Sequence, residues 1–160
     1  MLRCQGFGIY KRLGTTIDDA LGEAFDKTET LFRIEFPGGS QMEVLAKKGN
    51  PSKYDLPKPI FYKGGCNLSF AGLKTSILKI TKNIKTDQEK FDLAASFQKT
   101  IEEILHKKTK IAFIEFEKQN KIKEKKFVVA GGVAANKKIR SMLEKLCVEE
   151  NYYSIFPPIE

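Results

Sequence analysis

The chain has 160 residues, a hydrophobic share of 41%, a charged share of 30% and a formal net charge of +8. That length allows one domain with a core, or a piece of a larger protein, and the composition is that of a globular chain rather than a fibrous or disordered one. No apolar run approaches the ~18 residues of a membrane span, and the basic excess favours an anionic partner such as a nucleic acid.

Residues 6–13 (GFGIYKRL) are consistent with a strand. Thr16 followed by Asp19 resembles a capping box with Asp in place of Glu. From there Ile17, Ala20, Leu21, Ala24, Phe25, Thr28, Leu31 and Phe32 recur at helical spacing and predict a buried stripe. Asp19, Glu23 and Asp26 lie three and four apart on another face. Such acids form either a solvated face or carboxylates aimed at ligand hydroxyls. EFPGGS, residues 35–40, predicts a turn, and a short helix follows over Gln41–Lys48.

Residues 49–65, rich in Pro and Gly, predict an irregular surface connection. CNLSFAGLKTSILKI, 66–80, passes from a strand-like start into an amphipathic helix. Asp87 to Glu117 predicts one long helix or two, with Ala94, Phe97, Ile101, Ile104, Leu105, Ile111 and Ala112 on its apolar side. Residues 107–126 hold eight lysines against three glutamates. They form a solvated helix end and loop, or a contact to a phosphate backbone. Phe113 and Phe116 fit the helix core, so the pattern gives no sign of single-strand stacking.

Phe127–Ala130 predicts a short buried strand, Lys138–Glu149 a helix and Tyr152–Phe156 the next strand. The β-α-β order places AGGVAAN between a strand end and a helix start. Helix N-terminal N–H groups attract anions. Gly131 and Gly132 would let a ligand approach the backbone, and Asn136 can both donate and accept. A simple tight turn is the other reading. Cys4, Cys66 and Cys147 are far apart and odd in number, which disfavours a zinc site or a disulfide framework and suits a reducing cytoplasm. MLRCQGFGIYKRLG has no apolar signal core, so a cytoplasmic protein with no membrane partner is expected. The single histidine, His106, reads as a surface or helix-end residue, and no metal site is expected.

TIDDALGEAFDK, FPGG, SFAGLKT, DLAASFQ and AGGVAAN occur in this order. Together they closely resemble the TsaD family, the tRNA adenosine threonylcarbamoyltransferases once described as O-sialoglycoprotein endopeptidases. The resemblance covers nearly all of residues 1–160. It implies an α/β actin-like/Hsp70-like ATPase (ribonuclease H-like) fold of two lobes with a nucleotide-type ligand between them. Family members move threonylcarbamoyl from threonylcarbamoyl-adenylate to the 6-amino group of the adenosine 3′ of a tRNA anticodon. The implied partners are tRNA, threonylcarbamoyl-adenylate and proteins of the same pathway. By the same resemblance Asp26 matches a ligand-binding aspartate, Gly39 the second glycine of PGG, and Asn136 the asparagine closing AGGVAAN. Glu43 is a weaker match to another ligand-contacting carboxylate. Asp26 and Asn136 are therefore expected on a common cleft, with Leu21, Phe25 and Leu146 in the core. The resemblance implies no particular catalytic residue here.

The sequence departs from the family in several places. The family's iron is held by two histidines four apart and an aspartate of a CTDN segment, and neither these nor an SGGH-type loop occurs in residues 1–160. The expectation is a partial transferase domain, incomplete at both ends and inactive alone. A glycoprotein metalloendopeptidase and a non-catalytic interaction module are the competing readings. Glu29 stands at a small-residue position and is expected to escape to solvent, and Arg33 replaces a helix-ending glycine.

Overall fold

A computed structural model describes residues 1–32, 39–118 and 124–158. Strand β1 (Leu2–Gly6) pairs antiparallel with β2 (Ile9–Arg12). The single strand expected over 6–13 is thus a hairpin, because the chain reverses tightly at Phe7–Gly8. The expected capping box at Thr16 and Asp19 is also corrected. Thr16 instead bridges Leu68 in parallel fashion. Helix α1 (Leu21–Leu31) starts after Ala20 with no side-chain cap. Ile17 is 59% exposed, so the buried stripe begins at Ala24 and continues through Phe25, Thr28 and Phe32.

Helix α2 (Gly39–Ala46) begins inside the segment expected to be a turn. Pro37, Gly38 and Arg33 lie outside the described residues. Helix α3 spans Ala71–Thr81. Helix α4 (Asp87–Glu117) is continuous over 31 residues, which decides between one helix and two. Thr86 and Glu89 start it with a reciprocal capping box. His106 therefore sits in mid-helix, half-buried, rather than at a helix end. Strand β3 (Lys126–Val128) pairs in parallel with β4 (Tyr153–Ile155) across helix α5 (Lys137–Glu149). Val128 is 63% exposed, so the strand expected to be buried is not. Two strands leave one sheet face uncovered. Asn151, at φ 60, closes α5, with the Tyr152 N–H donating to the Cys147 carbonyl at 2.7 Å.

Helix α4 runs through the core. Leu93, Ala94, Phe97, Ile101 and Ile104 are fully buried on it. The Phe25 and Phe97 rings meet edge-on at 5.1 Å and 77°, which joins α1 to α4. At the far end of α4, Phe113 stacks on Tyr152 at 3.8 Å. Truncating Phe97 to Ala removes a ring from this fully enclosed position. It is expected to cost about 3–5 kcal/mol, read from urea unfolding by circular dichroism, with Phe97→Leu costing clearly less. A loss below about 1 kcal/mol for Phe97→Ala would show that the core collapses around the gap.

Candidate functional site

A cavity of about 1620 Å³ opens between the hairpin, α1, α4 and α5. Asp26, Glu43, Gly131, Gly132 and Asn136 all line it, as do Leu21 and Phe25. Phe25 and Leu146 are buried and Leu21 is half-buried. Gly39 opens α2, four residues before Glu43.

Each wall has a local cause. Gly131 adopts φ +95, a conformation glycine reaches without strain, and turns the chain out of β3. A β-carbon at Gly132 would meet nothing within 4 Å among the described residues. Asn136 is the N-cap of α5, and its Oδ1 accepts from the Ile139 N–H at 3.0 Å. The same amide is buried against Gln98 of α4. Asn136 Nδ2 donates to Gln98 Oε1 at 3.0 Å, and Gln98 Nε2 donates back to Asn136 Oδ1 at 3.3 Å. Both lone pairs of Asn136 Oδ1 are thereby used, and one Nδ2 hydrogen remains for a ligand. Glu43 Oε2 accepts the Lys137 N–H at 3.1 Å, so a carboxylate already stands at the positive end of α5. The helix start expected to be open to anions thus has two of its first N–H groups engaged.

Asp26 differs. Asp19 and Glu23 both pair with Lys27, whereas Asp26 is exposed and makes no ion pair among the described residues. Of the three acids, it alone keeps its carboxylate free on the cavity wall.

The lysine-rich segment divides. Lys108 is fully buried and donates to the Lys63 and Gly65 carbonyls, so it cannot meet a phosphate. Lys110, Lys118, Lys125 and Lys126 pair with Glu150, Glu115, Glu117 and Glu124. Lys121 and Lys123 lie outside the described residues.

Sequence reasoning passed over three residues. Asp18 accepts from the Phe70 N–H at 2.7 Å and from the Ser69 hydroxyl, tying the start of α1 to the start of α3. Asp92 accepts from the Asn50 N–H and from Gln88, both at 2.8 Å. Those two bonds, the backbone one first, hold its carboxyl below the usual range. Gly49 permits this approach, because a β-carbon there would collide with the Phe91 carbonyl. Gln98 is the third. Only the DLAASFQ motif, which contains Asp92 and Gln98, marked either of them in the sequence.

The profile of the TsaD family, tRNA N6-adenosine threonylcarbamoyltransferase, matches residues 1–160. The chain belongs to this family. A TsaD protein of Pelagibacter ubique is 74% identical over 158 residues, covering 99% of this chain and 44% of the relative. Those of Rickettsia rickettsii and Rickettsia bellii are 48% and 44% identical, each covering 96% of this chain and 46% of the relative. All three carry the name tRNA N6-adenosine threonylcarbamoyltransferase. The chain spans a little under half the length of these TsaD relatives.

One residue of the family departure is settled differently from expectation. Glu29 does not escape to solvent. It is 3% exposed, and its Oε1 has no hydrogen-bond partner among the described residues. Burial, and then the Asp26 charge, push its carboxyl up to about 7 from 4.5. A raised folded value means that the protonated form fits the fold. The contribution of Glu29 is fully present below about 4.5 and is lost as pH rises through about 7. Glu29→Gln is therefore expected to stabilise the chain at pH 8 by on the order of 1–3 kcal/mol and to have little effect at pH 4.5. Thermal melts across that range check this, and an equal effect at both ends would contradict it.

Proposed function

We propose that this chain supplies one wall of the donor site of a tRNA N6-adenosine threonylcarbamoyltransferase, acting on threonylcarbamoyl-adenylate with tRNA as acceptor. The observation that carries the reading is the convergence of Asp26, Glu43, Gly131, Gly132 and Asn136 on one cavity. Family membership supplies the reaction class. The free Asp26 carboxylate suits ribose hydroxyls, which donate to it in charge-assisted bonds. The glycine turn suits a flat ligand pressed against backbone, and the remaining Asn136 hydrogen suits an acceptor on base, sugar or phosphate.

In the transfer, the adenosine 6-amino nitrogen attacks the carbamoyl carbon. A C–N bond forms, the C–O bond to the adenylate phosphate breaks, adenosine monophosphate leaves and the amine gives up a proton. Negative charge grows on the carbonyl oxygen and on the leaving phosphate, so fixed donors matter most. Glu43, already neutralised in part by Lys47 and the Lys137 N–H, is suited to holding the wall rather than to meeting phosphate.

The complete enzyme would be a two-lobed, actin-like fold with residues 1–160 contributing a partial domain. Gly39, at the start of α2, would line the ligand beside Glu43. The family's iron finds no fit here. Among the described residues no three His, Cys, Asp or Glu side chains are grouped to hold a metal, and no step is assigned to iron. This chain alone would bind no iron and transfer no threonylcarbamoyl. The setting would be cytoplasmic. Two of the three cysteines are buried free thiols, and no helix among the described residues is long and apolar enough to cross a membrane.

The test uses adenosine monophosphate as probe in titration calorimetry. Asp26→Asn is expected to weaken binding by roughly tenfold to a hundredfold, the worth of hydrogen bonds to a charged group, with the far-ultraviolet circular dichroism spectrum unchanged. Unaltered affinity in Asp26→Asn would remove Asp26 from the site.

A further inference from the structure

Three features of the 58–65 loop have no part in the cleft. Ile60 sits at φ 50, a left-handed conformation that a β-branched residue keeps only when its surroundings force it. Lys108 reaches from the middle of α4 and donates to the Lys63 carbonyl at 2.8 Å and the Gly65 carbonyl at 3.2 Å. Tyr62 nevertheless projects, 88% exposed, edge-on to Phe61 at 5.1 Å and 86°. A strained residue and a buried cation thus hold an aromatic ring in water, where an unconstrained ring would fold onto apolar surface.

Cations surround this ring. Lys107 Nζ stands 4.5 Å from the Phe61 centroid and 5.0 Å from that of Tyr62. Lys58 lies 5.5 Å from Phe61 but is offset by Glu103. Lys63 is exposed, and neither Lys63 nor Lys107 makes an ion pair among the described residues. Beside the rings lies a groove of about 580 Å³, lined by Phe61, His106, Lys107, Ile111 and Met142, with Glu102 and Glu103 also facing it. Sequence spacing gave no sign of stacking, because the aromatics nearest the lysine run are core residues. The fold instead brings two aromatics to Lys107 from a segment 45 residues away in the chain.

We propose that Tyr62, with Lys63 and Lys107, forms a stacking platform for an unpaired base of tRNA, outside the donor cleft. The proposal rests on the reading of tRNA as acceptor. An exposed ring accepts any base on its π-face, and flanking ammonium groups accept the adjoining phosphates. Lys107 covers one face of the ring and the exposure of Tyr62 leaves the other available. Lys107 over the ring and the neighbouring Lys63, neither in an ion pair among the described residues, favour a nucleotide; the apolar groove residues Ile111, Ile114 and Met142 make a protein contact the competing outcome of the test.

The test is fluorescence anisotropy of an unmodified tRNA transcript with the 160-residue chain. Tyr62→Ala is expected to weaken binding about tenfold, in the range of base–aromatic stacking, and Tyr62→Phe by less than about twofold. Lys107→Gln is expected to lower the slope of log affinity against log salt by about 0.7, one single-strand phosphate contact. Adenosine monophosphate binding should be the same in Tyr62→Ala as in the parent, which separates failure of the platform from failure of the donor site. Equal tRNA affinity in Tyr62→Ala and parent would overturn the proposal and leave the ring to a protein contact. No tRNA binding by the parent chain would overturn it too, without touching the adenylate reading.

Discussion

The buried amide pair between Gln98 and Asn136 is the constraint on which the cleft depends. Gln98 lies on α4 next to the fully buried Phe97 and is itself 4% exposed. An amide buried there without a partner would cost roughly 1–3 kcal/mol. Glu102 on the same helix accepts from Gln98 Nε2 at 2.9 Å, and the two reciprocal bonds with Asn136 satisfy the rest of the amide when the first turn of α5 sits against α4. Glu43 adds a second link from α2 to the same turn. The wall bearing Gly131, Gly132 and Asn136 is fixed by these bonds. Asp26, on α1, is left exposed and without an ion pair among the described residues. A preformed wall and a free carboxylate in one cavity suit a ligand that brings its own hydroxyl donors.

Helix α4 applies the same device along its length. Asp92 and Ser96 hold the loop around Asn50 and Tyr54, Gln98 holds the start of α5, and Lys108 holds residues 63–65. Each is a buried polar group whose only favourable arrangement satisfies backbone or amide partners on a segment without regular structure. The apolar residues of α4 make the core, and its polar ones decide where the irregular segments lie. The long irregular connection can therefore be both exposed and ordered.

Local pattern was enough for what local physics controls. The stripe through Ala24, Phe25 and Thr28, the apolar side of α4 and the glycine turn before α5 were legible because periodicity and backbone freedom act over a few residues. The roles of Asp18 and Gln98 were not, because their partners lie 51 and 38 residues away in sequence. The capping box read at Thr16 and Asp19 failed for the same reason, since only the fold shows Thr16 bridged to Leu68, and Ser69 and Phe70 facing Asp18. Glu29 misled because a charged residue is expected to find water, yet it is 3% exposed in the fold. The family resemblance reached Asp26 and Asn136, and the structure brings both to one cavity. It did not reveal that most of the Asn136 amide is spent on holding α5.

The central claim is that this wall is assembled before any ligand arrives. The most direct measurement is a nuclear magnetic resonance titration of the nitrogen-labelled chain with adenosine monophosphate. The account predicts that the Asn136 side-chain amide resonates as a slowly exchanging, hydrogen-bonded group in the free chain. On titration, that group and the Gly131 and Gly132 backbone amides should shift while the Gln98 side chain stays paired. A freely exchanging Asn136 amide in the absence of ligand, or shifts confined to residues far from Gly131 and Asn136, would contradict it.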